Sequence, residues 1–163
     1  MTETDDGAWS QGKRFPPHKH PAHGVFHTPN QPLIVFLTVC TKDRKRWLAD
    51  PAVHEVLRSV WAEASGWHVG RYVIMPDHIH LFAGPGDVDV SFDDWVQYWK
   101  REFTRRHHRP ECGWQTDHWD RRLRRAESYL AKWHYVCLNP VRHGLVGNPD
   151  DWPYQGEIHI LSW

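Results

Sequence analysis

Residues 72–84 read YVIMPDHIHLFAG, two apolar runs joined by Pro76-Asp77. Proline and aspartate favour a turn, and the β-branched and aromatic residues around them favour strands, so the stretch predicts a β-hairpin. We expect its first strand from about Trp67 to Met75 and its second from about His78 to Ala83. An antiparallel pair of strands therefore lies near the middle of the chain.

Two histidines, His78 and His80, stand two residues apart on the second strand of this hairpin. Because side chains alternate across a strand, both imidazoles point to one side of the sheet, while Ile79 and Leu81 point to the core on the other. Two neutral imidazoles in this arrangement can chelate one cation. The chain has 14 histidines, so the spacing alone is a weak signal, but a polar pair on a sheet face requires an explanation.

Upstream of the hairpin, the sequence predicts one strand and one helix. Residues 33–40, LIVFLTVC, form a run of strand length without alternation, which indicates a strand buried on both faces. Asp50-Pro51 then opens a stretch whose apolar residues recur at i, i+3 and i+4 and which ends at Gly66. This stretch is the first helix.

Downstream, apolar residues between Phe92 and Phe103 recur with helical period and predict a second, basic amphipathic helix. A short extended segment around Trp114 to Asp120 precedes a third helix, from about Ala126 to Leu138, which Asn139-Pro140 ends. The order β-α-β-β-α-β-α predicts an α+β, ferredoxin-like (split βαβ) fold, an antiparallel sheet with helices on one face plus a C-terminal helix.

The chain of 163 residues, 40% of them hydrophobic, is long enough for one domain with a real core. Residues 1–30 are polar, with prolines and four histidines but no periodicity, and predict a flexible His-rich arm rather than a metal site. We therefore expect a single catalytic domain over residues 31–163. The sequence has no membrane-spanning apolar run or signal peptide, and its three cysteines are widely spaced, so a soluble cytoplasmic protein with reduced thiols is expected.

The charges are balanced in number but not in position. Lys+Arg and Asp+Glu are 20 each, yet residues 100–125 carry nine basic and four acidic side chains. Such a segment is a solvated helical face or a surface that neutralises phosphates. The candidate DNA-binding residues are Lys100, Arg101, Arg105, Arg106, Arg121 and Arg124. Of the aromatic residues nearby, some of Trp95, Trp99, Trp114 and Trp119 could stack on bases, although most are expected in the core.

Tyr135 and Asn139 are four residues apart on the third helix and hence about 40° apart around it. If this helix packs over the sheet face that bears the histidine pair, Asn139 supplies a third, oxygen ligand and Tyr135 reaches a phosphate bound to the metal. Tyr129 is the rival nucleophile, but it lies about 120° from Tyr135 around the helix and is expected to be structural. The histidine pair on the strand and the Tyr135–Asn139 pair on the helix would together form a site for phosphoryl transfer.

The chemistry of such a site needs these residue types. A divalent cation polarises a phosphodiester, and a phenolate attacks it to form a phosphotyrosine ester. Because the usual pKa of tyrosine is about 10, a nearby charge or base must favour the phenolate. His134, Lys132 and the metal are the candidates, and the sequence does not choose among them.

These residues resemble those of the HUH single-tyrosine transposases, and more closely the REP-associated tyrosine transposases, a domesticated bacterial branch. The resemblance covers roughly residues 32 to 155. The motifs that carry it, in order along the chain, are VIMPDHIHL (73–81), Gly113-Trp114-Gln115, His118-Trp119-Asp120 with Leu123-Arg124, Tyr135 with Asn139-Pro140-Val141-Arg142-His143-Gly144, and Asp151-Trp152-Pro153-Tyr154. The His-rich arm has no counterpart in the family pattern.

The resemblance implies that His78, His80 and Asn139 bind Mg²⁺ or Mn²⁺ and that Tyr135 is the nucleophile. It implies a bacterial, nucleoid-associated enzyme that cleaves single-stranded DNA at short palindromes folded as hairpins, leaving a 5′-phosphotyrosine and a free 3′-hydroxyl. The ester keeps the bond energy, so rejoining needs no ATP. The active unit is expected to be a monomer or a homodimer.

Two other classes of function remain open at this point. The first is a catalytically silent, ferredoxin-like nucleic-acid-binding module, in which the histidine pair packs or contacts phosphate. The second is a metal phosphoesterase in which His78 and His80 activate water, with zinc completed by Cys137. Water attack would leave no covalent link between protein and DNA.

Overall fold

A five-stranded antiparallel sheet forms the centre of the fold. The computed structural model describes residues 33–162, so the His-rich arm predicted for residues 1–30 lies outside the described residues. The strands are β1 Ile34–Cys40, β2 Trp67–Ile74, β3 His78–Pro85, β4 Trp119–Leu123 and β5 Gln155–Glu157. The helices are α1 Pro51–Glu63, α2 Phe92–His107, α3 Ala126–Cys137 and α4 Asn139–Arg142.

The sheet has the strand order β4-β1-β3-β2-β5, and each neighbouring pair is antiparallel. Strands β1 to β4, with α1 after β1 and α2 after β3, form the split βαβ arrangement. The predicted α+β, ferredoxin-like fold is therefore confirmed. The short strand β5 extends the sheet at the outer edge of β2.

The helices α1 and α2 cover one face of the sheet. Asp50 caps α1 by accepting from the backbone N–H groups of Ala52 and Val53, and Pro51 occupies the first turn, where its missing N–H costs nothing. Trp61 of α1 and Trp99 of α2 meet in this core with no exposed surface. The strand residues that point to it include Val35, Leu37, Val39, Ile79 and Leu81.

The other face of the sheet is covered by α3. A second apolar cluster joins Phe36 and Phe82 of the sheet to Tyr129 and Val136 of α3. Because both faces are covered, β1 is buried along its whole length, which explains its unbroken apolar run. The helices thus lie on both faces, with α3 on the face of the histidine pair.

Two boundaries differ from the sequence prediction. The strand before α3 begins at Trp119, and Trp114 makes only an isolated bridge to Thr41. The chain also does not leave helical geometry at Asn139-Pro140, because Pro140 lies in the first turn of α4, where no N–H is required. Within residues 33–162, no helix has the length and apolar character needed to cross a membrane.

Candidate functional site

One cavity of about 890 Å³ is lined by all four residues predicted for the site: His78, His80, Tyr135 and Asn139. The histidines come from β3, and the tyrosine and asparagine come from α3 and α4. The strand period of two and the helix spacing of four therefore converge on the same space.

The two imidazole rings are held by hydrogen bonds at their Nδ1 atoms. His78 Nδ1 lies 2.7 Å from Asp77 Oδ1, and His80 Nδ1 lies 2.8 Å from Thr38 Oγ1 on the neighbouring strand. The ring centroids are 4.8 Å apart and the rings are nearly perpendicular. This pattern, in which one ring nitrogen is fixed by a second residue, leaves Nε2 of each ring as the atom for a cation.

Burial keeps both histidines neutral. Removal from water lowers the pKa of His78, and the Asp77 carboxylate offsets only part of that effect. Burial lowers the pKa of His80 well below its ordinary value, and the positive charge of Lys132 acts in the same direction. The neutral imidazole is the form that binds a metal.

An ionised carboxylate supports His78 from behind. Burial by itself raises the pKa of Asp77, but the hydrogen bond and charge of His78, together with Arg44, outweigh burial and lower that pKa to about 2. Arg44 Nε lies 2.9 Å from Asp77 Oδ2, and Arg44 Nη1 donates to the Cys40 sulfur. Arg44 has a φ of 55°, a conformation that non-glycine residues adopt at a cost of about 1–3 kcal/mol.

Tyr135 is 48% exposed, and its ring is covered on one side by Arg142, whose guanidinium carbon lies 3.8 Å from the ring centroid. Arg142 also donates to the carbonyl oxygen of Tyr135 and, at 2.5 Å, to the amide oxygen of Asn139. One guanidinium therefore connects the predicted nucleophile with the predicted oxygen ligand. Sequence reasoning assigned Arg142 no role, although its spacing of three from Asn139 allowed such a contact.

Lys132 is the second cation beside Tyr135. Its ammonium lies 5.7 Å from the centroid of the tyrosine ring and 4.9 Å from the Phe36 ring. Lys132 lines the cavity, whereas His134 is exposed and is absent from the described residues that line it. Of the two side chains considered as activators of the tyrosine, Lys132 is the one beside it.

Tyr129, the rival nucleophile, lies in the core. It is 7% exposed, and its ring meets Phe82 edge to face at 4.9 Å. Burial raises the pKa of Tyr129, which disfavours the phenolate. Cys137, the residue considered for zinc, is outside the described set that lines the cavity, and its sulfur contacts the carbonyl oxygen of His134.

The predicted DNA-binding residues divide between the two sides of the sheet. Lys100 is buried, with its ammonium 2.6 Å from the carbonyl oxygen of Gln115, so it has the contacts of a structural residue. Arg105 pairs with Glu102, and Arg106 pairs with Glu63. These residues and Arg101 belong to α2, on the face away from α3, whereas Arg121 lies on β4 and Arg124 directly follows it.

A second group of potential metal ligands, missed by sequence reasoning, joins α2 to β4. Single ligand atoms of Asp93, His118 and Asp120 lie within 4.8 Å of one another. His118 Nε2 is 3.1 Å from Asp93 Oδ1 and 3.7 Å from Asp120 Oδ1. Burial lowers the pKa of His118, and the two carboxylates oppose that effect. These distances equally suit an ion pair that ties the two elements together.

No family model matches the chain. The REP-associated tyrosine transposase of Escherichia coli (strain K12) is 28% identical over 92 residues, which are 54% of this chain and 53% of that protein. A Haemophilus influenzae protein named for the same family is 28% identical over 153 residues, which are 80% of this chain and 86% of that protein. The match thus spans about half the length of the first relative and most of the second.

A solved structure supports the same relationship. The structure of a REP-associated tyrosine transposase bound to a REP hairpin superposes with a TM-score of 0.65 at 25% identity. The superposition covers 75% of this chain and 74% of that one. Together these likenesses confirm the resemblance to REP-associated tyrosine transposases that the motifs indicate.

Proposed function

We propose that this chain is a transposase of the REP-associated type, a metal-dependent endonuclease and strand transferase acting on single-stranded DNA at hairpin-forming palindromic repeats. Tyr135 is the nucleophile, and His78, His80 and Asn139 hold Mg²⁺ or Mn²⁺. The observation that carries the proposal is the shared cavity, in which an exposed tyrosine, two neutral imidazoles and an amide meet. The likeness to a protein bound to a REP hairpin supports the choice of substrate.

The donor set fits a divalent cation. Asp77 and Thr38 fix the Nδ1 atoms of the histidines, which supports a role of both Nε2 atoms as ligands. The amide oxygen of Asn139 has two lone pairs, so its bond with Arg142 leaves one lone pair for a cation. When bound, the cation polarises the phosphodiester and neutralises the charge that develops during transfer.

The protein's own residues account for the covalent step. Tyr135 Oη loses its proton to solvent and forms a bond to phosphorus, while the bond from phosphorus to the 3′ oxygen breaks and that oxygen takes up a proton. Lys132 and Arg142 place two positive charges beside the ring, and these charges attract the anionic phosphate. In the second step another 3′-hydroxyl loses its proton to solvent and forms a bond to phosphorus, while the bond from phosphorus to Tyr135 Oη breaks and Tyr135 takes up a proton, which transfers the strand.

The deciding experiment is detection of the covalent intermediate. A labelled single strand that carries a hairpin is incubated with the protein and Mn²⁺, and the products are separated on a denaturing protein gel. We expect a shifted, labelled protein band for the native chain and none for Tyr135→Phe. Tyr129→Phe is the matched control and should retain the band, because Tyr129 lies in the core.

The outcomes separate the three classes of function. A labelled band from Tyr135→Phe would show that another residue is the nucleophile. Cleavage by the native protein without a labelled band would indicate a phosphoesterase that activates water. Binding of the hairpin strand without cleavage, with Mg²⁺ or Mn²⁺ present, would indicate a silent binding module.

A further inference from the structure

Trp119 is the most exposed tryptophan among the described residues. It exposes 36% of its surface, while Trp95 and Trp99, two other candidates for base stacking, expose 1% and 0% and belong to the core. Trp114 packs against the same core. An exposed indole offers a flat aromatic face on which a nucleobase can stack.

Trp119 also lies at the site. It is the first residue of β4, where it pairs with Thr38, and it lines the cavity together with Tyr135 and His80. Its ring meets Phe36 nearly perpendicularly, with centroids 5.8 Å apart. Among residues 33–162, Phe36 is the aromatic residue whose ring contacts Trp119. Because this contact is edge to face, Phe36 supports the indole without stacking on it.

Positive charges lie on the same side of the sheet as Trp119 and line the cavity. Arg121 is two residues along β4 and therefore on the same side of the sheet, and its charge contributes to a lowered pKa of Lys132, after the larger effect of burial. The cavity is lined by four cations, Arg44, Arg46, Lys132 and Arg142, and two carboxylates, Asp77 and Asp117. Asp77 is itself paired with Arg44, so the remaining charge suits a polyanion.

Strand β4 is an edge strand. It pairs with β1, and within the described residues no strand lies on its other side. No described strand therefore stands between Trp119 and a ligand at this edge of the sheet. An exposed aromatic ring beside a cationic groove is the arrangement by which proteins hold single strands, whose bases are free to stack.

We propose that Trp119 is a stacking platform for one unpaired base of the single-stranded DNA, next to the phosphate that Tyr135 attacks. The inference rests on the proposed function for the identity of its ligand. It adds a binding residue that reads an unpaired base by its flat face, independently of the cation and the nucleophile. Paired bases inside a duplex cannot use this platform, so Trp119 favours an unpaired segment over the hairpin stem.

The test measures binding separately from cleavage. Fluorescence anisotropy of a labelled hairpin strand with unpaired flanks is recorded with Tyr135→Phe protein, alone and combined with Trp119→Leu or Trp119→Phe. One stacked base contributes about 1–3 kcal/mol, so Trp119→Leu should raise the Kd about 5- to 150-fold, while Trp119→Phe keeps an aromatic face and most of the affinity. Tyr98→Leu, an exposed aromatic on α2, is the matched control and should leave the Kd unchanged.

A series of modified oligonucleotides identifies the base that stacks on Trp119. Oligonucleotides with an abasic site at each unpaired position in turn should include one that binds Tyr135→Phe protein weakly and that shows no further loss with Trp119→Leu. Equal effects of Trp119→Leu on every abasic strand, no effect on any strand, or no binding of single strands at all would each overturn the inference. Thermal melting confirms that the variants fold.

The two proposals fail in different ways. If the native protein forms no phosphotyrosine adduct but Trp119→Leu weakens the binding of single strands, the proposed chemistry is wrong and the platform stands. If the adduct forms and Trp119→Leu binds as well as its parent, the platform is wrong and the chemistry stands.

Discussion

Among single residues, Arg142 is the one that contacts both Tyr135 and Asn139 in the cavity. Its guanidinium lies over the ring of Tyr135 and donates to the amide oxygen of Asn139, so it fixes both groups on the helix. A planar guanidinium can stack and donate at the same time, which an ammonium cannot do. We therefore regard Arg142 as a positioning residue for the proposed reaction.

Loss of Arg142 should slow the covalent step. A misplacement of about 1 Å can cost about a hundredfold in rate, so Arg142→Ala should form the adduct about ten- to hundredfold more slowly, and Arg142→Lys should recover only part of that loss. Rates are measured by single-turnover formation of the labelled band. Arg101→Ala, on the far side of the sheet, is the control. An unchanged rate for Arg142→Ala, at normal folding, would remove the positioning role.

The residue scale is also where sequence reasoning had its limits. The strand and helix periods predicted that His78 and His80 share one face and that Tyr135 and Asn139 share another, and the resemblance joined the two pairs. The contacts of Lys100 could not be predicted, because a lysine on an amphipathic helix has the same pattern whether its ammonium reaches solvent or bonds to backbone carbonyl groups. In the structure it bonds to the carbonyl oxygens of residues 115 and 116.

Between elements, the turn from β2 to β3 is bound to the segment that follows β1. The carbonyl oxygen of Asp77 accepts from the backbone N–H of Thr41, its carboxylate pairs with Arg44, and Leu48 donates to Pro76. These contacts fix the position of the turn that leads into β3 at His78. The carboxylate of Asp77 is thus a link between two loops as well as a partner of the histidine.

This link should make stability depend on acid pH. The folded pKa of Asp77 is about 2, below the ordinary 3.8, so the unfolded chain binds the proton more readily. The stabilisation is complete above about pH 5 and is lost as the pH falls through about 4 to 2. At about 1.4 kcal/mol per pKa unit, the difference corresponds to about 2 kcal/mol.

Asp77→Asn tests this linkage. We expect the variant to be about 2 kcal/mol less stable than the native protein at neutral pH, with the difference shrinking between about pH 4 and about pH 2. Urea unfolding at a series of pH values measures it. Asp89→Asn, an exposed residue in the loop before α2, should behave as the native protein does. Parallel pH profiles for the native protein and Asp77→Asn would contradict the assignment.

The elements themselves were largely predictable. Strands β1 to β3 and helices α1 and α2 bury clear apolar patterns, and caps such as Asp50 mark their ends. The bounds of β4 were not, because WDRRL is an edge strand in which only Leu123 is buried, so its charged residues hide the alternation. The continuation into α4 was missed because a proline that ends one helix can equally begin another.

For the whole molecule, the neutral sum of charges conceals two different surfaces. The arginines Arg105 and Arg106 of α2 are paired with carboxylates, whereas the cavity side presents Lys132 and Arg142 beside the exposed Tyr135. The sequence located the basic segment but could not divide it, because its two parts belong to opposite faces of the sheet. Only tertiary structure decides which cations share a side with the site.

This asymmetry predicts which arginines govern the salt dependence of the proposed DNA binding. Each phosphate contacted on a single strand contributes about −0.7 to the slope of log K against log salt concentration. Arg121→Gln should make that slope shallower by about 0.7, while Arg105→Gln, which removes the same charge from the opposite face, should leave it unchanged. Anisotropy titrations at several salt concentrations measure the slopes. Equal changes for the two variants would indicate nonspecific attraction by total charge.

The register of β1 against β3 has a consequence for how the chain tolerates change. Thr38 lies opposite His80 and Cys40 opposite His78, while Ile79 and Leu81 occupy the alternate positions. The site residues are thus the even-numbered members of β3, and the residues of the main core are the odd-numbered members. A single inserted or deleted residue early in β3 would exchange the two faces of the strand. The imidazoles would then point into the hydrophobic core, and the aliphatic side chains would point into the cavity. Insertions and deletions in β3 are therefore not tolerated, even at positions where substitutions are.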